Sequence, residues 1–170
     1  MSAEVLFGAD EIAERLEELA DEIVAAAPKP DIAAPVLIGG FVFAADLMRA
    51  LARRGLSLPG EFLWLRCYDK REAGEQVQVL AGPGEAVRGK TVLLIDGVLD
   101  RGTTVETARA LLKAAGAAKV ITVVAVDKLR GDAVAHADFA LFHGVADFIA
   151  GYGMDDDGGS RGCPDIVRVG

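Results

Sequence analysis

Apolar residues recur at two spacings along the chain, and each spacing predicts a different kind of element. A repeat of three to four residues predicts three amphipathic helices. The first begins at Asp10 as its cap and ends before Pro28, and the others span residues 41–54 and 105–115. Continuous or alternating apolar runs predict strands. These are residues 35–38, 62–67, 76–80, 91–95, 120–126 and 139–142, with shorter pieces at 148–150 and 166–169.

The order of these elements predicts the fold class. Because strands alternate with helices, we expect a mainly parallel, twisted sheet flanked by helices, with ligands bound beyond the carboxyl ends of its strands. Glycine-containing loops at Gly39 and Gly102 fall at that edge. A chain of 170 residues is the size of one ordinary domain, so a single α/β domain is expected over residues 1–170.

Composition and charge exclude several classes of protein. Apolar residues make up 52% of the chain, but no apolar run approaches the roughly 18 residues of a membrane span, so no membrane partner is expected. A net charge of -8, with the 18 Lys and Arg scattered, argues against nucleic-acid binding. The amino terminus does not read as a signal peptide, which favours the cytoplasm. The distant Cys67 and Cys163 are expected to be reduced thiols, with Cys67 buried in its strand.

An acidic loop with glycine and threonine joins the strand at residues 91–95 to the third helix. It spans residues 96–104, and it brings backbone N–H groups, the hydroxyls of Thr103 and Thr104 and the positive end of a helix dipole together. This pattern predicts a phosphate site. The alternative is a plain turn in which Thr103 or Thr104 caps the helix. A Walker loop is excluded because the Gly-Lys-Ser/Thr ending is absent.

Four segments, taken in order, carry a family resemblance. Residues 92–104 resemble the phosphoribosyl diphosphate motif of type I phosphoribosyltransferases. Residues 39–47, 126–128 and 147–155 resemble the diphosphate loop, base-binding lysine and C-terminal hood of hypoxanthine-guanine phosphoribosyltransferases. The similarity covers residues 36–169.

The resemblance implies both a fold and an activity. The fold is the family's α/β sheet with a small hood from the C-terminal segment and a flexible loop at residues 68–75. The activity is transfer of the phosphoribosyl group of phosphoribosyl diphosphate to a hypoxanthine- or guanine-type base, which gives a nucleoside monophosphate and diphosphate. Mg²⁺ accompanies the sugar substrate in the family. Members usually assemble as dimers or tetramers, so a homo-oligomer is expected.

The resemblance also implies roles for single residues. Asp100 would lie near the purine imidazole as a general base or charge stabiliser. The other implied contacts are Asp96, Arg101, Gly102, Thr103 and Thr104 to the ribose and 5-phosphate; Gly39, Gly40 and Arg161 to the diphosphate; Lys128, Phe148 and Ile149 to the purine; and Asp155 with Asp96 to Mg²⁺.

Each of these residues also has a plainer interpretation. Asp100 could bond local N–H groups as aspartate often does in turns. Lys128 could be a solvated lysine at a strand end, and Phe148 could be a core aromatic.

Three departures from the family pattern touch the sugar-diphosphate end of the site. Gly97 stands where a second acid that binds a ribose hydroxyl is usual, Arg101 where a small hydroxyl residue is usual, and Ile38 where a lysine often is. They motivate an alternative function, a catalytically degenerate nucleotide- or phosphoribosyl-diphosphate-binding protein, including a regulatory one. Under that hypothesis, Gly97→Asp with Arg101→Thr should raise turnover. A milder departure is Cys67, which precedes Tyr68 where a Ser-Tyr pair is usual.

Overall fold

The computed structural model describes residues 4–70, 74–156 and 159–170. Nine strands and three α-helices follow one another in this described part. They are β1 (Glu4–Phe7), α1 (Ala9–Ala25), β2 (Ile32–Leu37), α2 (Phe41–Arg53), β3 (Leu63–Lys70), β4 (Gly74–Ala81), β5 (Thr91–Leu99), α3 (Thr103–Ala114), β6 (Lys119–Asp127), β7 (Phe139–His143), β8 (Ile149–Ala150) and β9 (Ile166–Arg168).

Six of these strands form the main sheet, in the order β4-β3-β2-β5-β6-β7. All its neighbouring strands run parallel except the antiparallel pair β3 and β4. The predicted fold class, a mainly parallel α/β sheet flanked by helices, is therefore confirmed.

The central strand β5 supplies both hydrophobic cores. Leu93 and Ile95 pack with the apolar stripes of α1 and α2 on one face, and Val92 and Leu94 pack with that of α3 on the other. Successive side chains of a strand point to opposite faces of a sheet. A central parallel strand is covered on both faces, which explains why this segment is continuously apolar instead of alternating.

A second, smaller sheet is antiparallel and has the order β1-β9-β8. It joins the first described residues to the last, and Arg168 lies 2.7 Å from Glu4 and 3.0 Å from Asp147 in ion pairs. Strand β1 was not predicted, because its four residues carry no long apolar run and are half-exposed or exposed. Ile149 and Ile166 of this sheet belong to the same hydrophobic core as Leu93 and Ile95 of β5.

Several predicted boundaries are wrong; β2, for example, is Ile32–Leu37 instead of residues 35–38. Gly8, not Asp10, is the N-cap of α1. Asp10 lies inside the first turn, where its charge favours the positive end of the helix dipole. Strand β5 runs to Leu99 instead of ending at Ile95, because Asp96, Val98 and Leu99 continue the ladder with β6.

The hairpin of β3 and β4 bears on two further predictions. Cys67 is exposed, not buried, although it lies in an apolar run. The loop predicted at residues 68–75 begins and ends in strand pairing, since Tyr68 pairs with Gln76 and the ladder continues to Lys70 opposite Gly74, and its mobility stays a prediction. Residues 71–73 of that prediction lie outside the described residues.

No helix in the described ranges is both long enough and apolar enough to cross a membrane.

Candidate active site

Neighbouring parallel strands place three loops side by side. The loops that follow β2, β5 and β6 begin at the same edge of the sheet, because these strands are adjacent and parallel. They contain Gly39 and Gly40, the phosphate-loop residues, and Lys128, respectively. The sheet topology thus brings most of the sequence-predicted site to one edge.

The phosphate loop lines a cleft of about 190 Å³. Helix α3 begins at Thr103, and its N-cap is Gly102, with φ of 85° and no side-chain capping bond. The alternative that Thr103 or Thr104 caps the helix is therefore wrong. The first turn of a helix has N–H groups without intrahelical partners, so the cleft faces donors suited to an anion. Its lining residues are Cys67, Val98, Asp100, Arg101, Gly102, Thr103, Thr104 and Val105.

Packing from another loop accounts for the glycine at position 102. A Cβ atom there would meet the backbone nitrogen of Ala135 at 2.9 Å and its Cβ at 3.0 Å. The same connection is tied to the phosphate loop by the Val134 N–H, which donates to the Arg101 carbonyl at 2.8 Å. The segment between β6 and β7 therefore packs against the phosphate loop and is hydrogen-bonded to it.

Asp100 lies in a cluster of charges. Lys128 Nζ is 3.0 Å from Asp100 Oδ2, and Arg130 Nη1 is 3.3 Å from Oδ1. Oδ1 is buried and accepts no hydrogen bond, so the Arg130 contact is an ion pair only. No backbone N–H in the described part of the chain donates to Asp100. This contradicts the interpretation that Asp100 bonds local N–H groups in a turn. Lys128 is 7% exposed at its side chain and is not a solvated strand-end lysine.

Arg130, a member of this cluster, was missed in the sequence, and the buried Asp127 next to Lys128 was given no role. Arg130 also binds Asp132, with Nε 2.9 Å from Asp132 Oδ1, and it lies only two positions after the predicted Lys128. Asp127 is buried, and its Oδ1 accepts the Leu129 N–H at 2.9 Å. The charges of both residues beside Lys128 were visible in the sequence. The contact of Arg130 with Asp100, however, depends on the pairing of β5 with β6.

A second cleft, of about 230 Å³, contains two carboxylates. It shares Cys67, Val98 and Thr104 with the phosphate cleft, and Asp96 and Asp155 also line it. Asp96 is only 7% exposed, and its Oδ1 accepts the N–H of Gly97 at 2.7 Å. Burial raises the pKa of Asp96 to about 7, against the smaller opposing effect of that hydrogen bond. Among the residues that the structure describes, no cation pairs with Asp96.

Close backbone packing fixes the loop after β2. A Cβ atom on Gly97 would meet the Gly39 carbonyl oxygen at 2.7 Å, and one on Gly153 would meet the same oxygen at 3.1 Å. A Cβ atom on Gly40 would meet the Val36 oxygen at 2.9 Å and the Asp96 Cα at 3.0 Å. Gly97 is therefore a packing residue, and the Gly97→Asp substitution that the alternative hypothesis invokes would require the Gly39 carbonyl to shift.

The C-terminal segment adds Arg161 next to this loop. Arg161 Nη1 donates to the Gly153 carbonyl at 2.6 Å and Nη2 to Asp155 Oδ2 at 3.0 Å. Arg161 thus holds Asp155, which itself lines the second cleft.

Two of the residues predicted to contact the purine, Phe148 and Ile149, lie outside the two clefts. Phe148 is 58% exposed, so its interpretation as a core aromatic is wrong, whereas Ile149 is buried in β8. Within the described ranges, no three His, Cys, Asp or Glu residues gather into a metal-binding group.

Comparisons with known proteins decide the family. Residues 6–157 match the model of the phosphoribosyl transferase domain. The chain belongs to this family. A hypoxanthine-guanine phosphoribosyltransferase of Aquifex aeolicus (strain VF5) is 30% identical over 97% of this chain and 93% of its own. The Dictyostelium discoideum enzyme of the same name is 30% identical over 91% of this chain and 88% of its own.

Solved structures of the phosphoribosyl transferase family agree with the fold. The hypoxanthine phosphoribosyltransferase of Trypanosoma cruzi, in complex with the product IMP, is 29% identical to this chain. It superposes with a TM-score of 0.85 and covers 98% of this chain and 93% of its own. The resemblance to this family, drawn from the four sequence segments, is confirmed.

The packing around the loop after β2 predicts unequal effects of two adjacent substitutions. Gly40→Ala should lower the free energy of unfolding by about 1 to 3 kcal/mol, because its methyl group meets backbone atoms that cannot move aside. Gly39→Ala is the matched control, since no atom lies within 4 Å of a Cβ atom there; it should stay within about 1 kcal/mol of wild type. Urea unfolding measures both, and equal losses would contradict the packing account.

The buried Asp96 predicts a pH-dependent stability. Its pKa is about 7 in the folded chain against an ordinary value of 3.8, so between these values the folded state holds a proton that the unfolded chain has released. Stability should therefore fall as pH rises from about 4 to 7, by up to roughly 4 kcal/mol. Asp96→Asn cannot ionise and should lack this loss. Urea unfolding from pH 4.5 to 8 measures the free energy of unfolding of wild type and Asp96→Asn. A difference between the two proteins that does not change with pH would contradict a raised pKa at Asp96.

Proposed function

We propose that the chain is a purine phosphoribosyltransferase, which transfers the phosphoribosyl group of phosphoribosyl diphosphate to a hypoxanthine- or guanine-type base. The products are a nucleoside monophosphate and diphosphate. The observation that carries the proposal is Asp100, which lines the phosphate cleft with one buried carboxylate oxygen that accepts no hydrogen bond. The family relatives that bear this activity in their names match over nearly their whole length.

Asp100 is proposed as the general base. Displacement of diphosphate by a ring nitrogen needs a group that takes the nitrogen's proton and stabilises the charge that develops, not a protein nucleophile. Oδ1 of Asp100, which accepts no hydrogen bond, is proposed as that acceptor, and Arg130, 3.3 Å away, would move aside to expose it. Lys128 holds the other oxygen at 3.0 Å and so orients the carboxylate.

The phosphate cleft is proposed to bind the 5-phosphate. Thr103 and Thr104 present hydroxyls and N–H groups at the start of α3, and Gly102 lets the backbone approach closely. Arg101 is exposed beside the cleft and adds a fixed positive charge. Asp96, in the adjoining cleft, is proposed to accept a hydrogen bond from a ribose hydroxyl.

The diphosphate and Mg²⁺ are proposed to lie in the second cleft. Mg²⁺ is commonly held by one or two carboxylates together with substrate phosphates, and Asp96 and Asp155 line the same cleft, so the donor set fits. The bound ion would neutralise charge on the departing diphosphate. The Gly39 and Gly40 backbone and Arg161 would supply the remaining contacts, with Arg161 releasing part of its hold on Asp155.

The purine is proposed to be held by Lys128, Phe148 and Ile149. An ammonium group has three N–H donors, and the Asp100 contact uses one, so Lys128 can also donate to an exocyclic oxygen. The exposed ring of Phe148 can stack on the base, and the Ile149 backbone can contact its edge.

Assembly and location are proposed by analogy with the family. We expect one domain over residues 1–170, a homodimer or homotetramer, and a cytoplasmic protein without nucleic-acid or membrane partners. The exposed aromatic side chains of Phe41, Phe62 and Trp64 offer apolar surface for such an assembly.

The proposed activity is tested directly with the purified protein, Mg²⁺, phosphoribosyl diphosphate and each of hypoxanthine, guanine, xanthine and adenine. We expect IMP or GMP from wild type, and an Asp100→Ala rate lower by about 10² to 10⁴-fold because the proton acceptor is lost. Asp132→Asn is the matched control: it removes an exposed acid that contacts Arg130 but not Lys128, and its rate should stay within about threefold of wild type.

Two outcomes would go against this proposal. No nucleotide from any of the four bases would refute it. Calorimetric binding of phosphoribosyl diphosphate or GMP without turnover would instead support the alternative of a ligand-binding protein, which the missing carboxylate at Gly97 motivates.

A further inference from the structure

Cys67 occupies an unusual position in the candidate site. It lies on β3 and belongs to the wall that the two clefts share. Its side chain is exposed and forms no disulfide bond. We propose that Cys67 is a modification site, at which a small disulfide forms an adduct that closes the candidate site to phosphorylated ligands. The inference rests on the proposed function only in taking these clefts as the ligand site.

A second observation marks the shared cleft as a ligand site. Asp96, more than nine-tenths buried, lines the 230 Å³ cleft with Cys67, and its single described partner is the adjacent Gly97 N–H. Burying a carboxylate without a cation is unfavourable unless another group meets it. Cys67 therefore lines the same cleft as a buried carboxylate that no cation in the described part of the chain neutralises, in a space that a ligand is expected to fill.

The cleft on the phosphate side of Cys67 has a net positive character. Arg101, the first turn of α3 and Asp100 line this 190 Å³ cleft together with Cys67, and the charge of Asp100 is already paired with Lys128 and Arg130. Cysteines near arginine or a helix N-terminus react faster, because the thiolate is the nucleophile. Exposure and positive surroundings together favour reaction at this thiol.

The reaction is thiol–disulfide exchange. Cys67 loses its proton to solvent, and its thiolate attacks one sulfur of a disulfide such as glutathione disulfide. A new sulfur–sulfur bond forms to Cys67, the original bond breaks, and the displaced thiolate leaves with the electron pair. No other oxidant is needed, and a small thiol reverses the reaction.

The adduct has a steric consequence. A glutathione or nitrobenzoate thiol attached to Cys67 would take up space in a cleft of only about 190 Å³ and so compete with a phosphate group there. It would also extend into the adjoining cleft, because Cys67 lines both. Serine, the residue that the family resemblance leads one to expect at this position, could not undergo this exchange.

The second cysteine provides a matched control. Cys163 is half-buried and lines a separate cavity of about 430 Å³ between α1, α2 and the C-terminal segment. A labelling effect that comes from the candidate site should therefore be lost in Cys67→Ser and kept in Cys163→Ser.

The test uses 5,5′-dithiobis(2-nitrobenzoic acid) on the full chain, with mass spectrometry to locate the adduct and calorimetry to measure binding. In Cys163→Ser, GMP at about ten times its Kd should slow labelling of Cys67 about tenfold, because only the unliganded protein reacts. Labelled protein should lose at least about tenfold in GMP affinity, and dithiothreitol should restore it. Cys67→Ser should bind GMP equally well before and after treatment.

The outcomes separate this inference from the proposed function. If unlabelled protein binds GMP but labelling leaves the affinity unchanged, or GMP does not protect Cys67, the inference is overturned while the proposed function stands. If GMP binds and protects Cys67 but turnover is absent, the inference is supported and the catalytic proposal fails. If neither GMP nor phosphoribosyl diphosphate binds unlabelled protein, both fail.

Discussion

The carbonyl oxygen of Gly39 lies so close to two other backbone segments that a Cβ atom on either would require a shift, since it would be 2.7 or 3.1 Å from this oxygen. One segment is the end of β5 at Gly97, and the other is the C-terminal turn at Gly153. Interiors are close-packed, and backbone atoms cannot move aside as a flexible side chain can. This contact fixes the positions of the loop after β2, the phosphate loop and the hood relative to one another. Every cleft of the candidate site has a wall in at least one of them.

The second cleft gains its chemistry from this packing. With no side chain at Gly97, the buried Asp96 and the Arg161-held Asp155 are the carboxylates that line it. Burial raises the pKa of Asp96 to about 7, so the chain accepts an electrostatic cost at this position. Residues with perturbed ionisation in a cleft are candidates for function, and a bound cation or sugar hydroxyl would offset the cost. The phosphate cleft is different, because its attraction for anions comes from the first turn of α3 and from Arg101.

The parts of the site that depend on local sequence were predicted. The strand, the glycine before α3 and the two threonines that begin α3 determine the phosphate loop, whose chemistry needs no distant partner. The apolar stripes of the helices and the continuous run in β5 likewise predicted the sheet and its two cores. The family resemblance added residues 39–47 and 147–155, which local patterns alone could not assign.

Features that depend on long-range packing were not predicted. Cys67 was expected to be buried, because an apolar run does not reveal which face of an edge-side strand is covered. The ion pairs of Asp100 with Lys128 and Arg130 join two loops through the pairing of β5 with β6. Gly97 was interpreted as a lost ribose contact, yet its contact with Gly39 becomes visible only when the segments are packed together. Whether a glycine marks an absent function or a required contact depends on its neighbours in space.

The central claim is that Gly97 is required by packing and that Asp96 is the carboxylate that the site uses there. Calorimetry with phosphoribosyl diphosphate and Mg²⁺ on wild type, Gly97→Ala and Gly97→Asp tests it most directly. The account predicts that both variants bind at least about tenfold more weakly, a loss of about 1.4 kcal/mol, because any side chain displaces the Gly39 carbonyl. Tighter binding by Gly97→Asp than by wild type would contradict it, since aspartate would then be restoring a lost ribose contact.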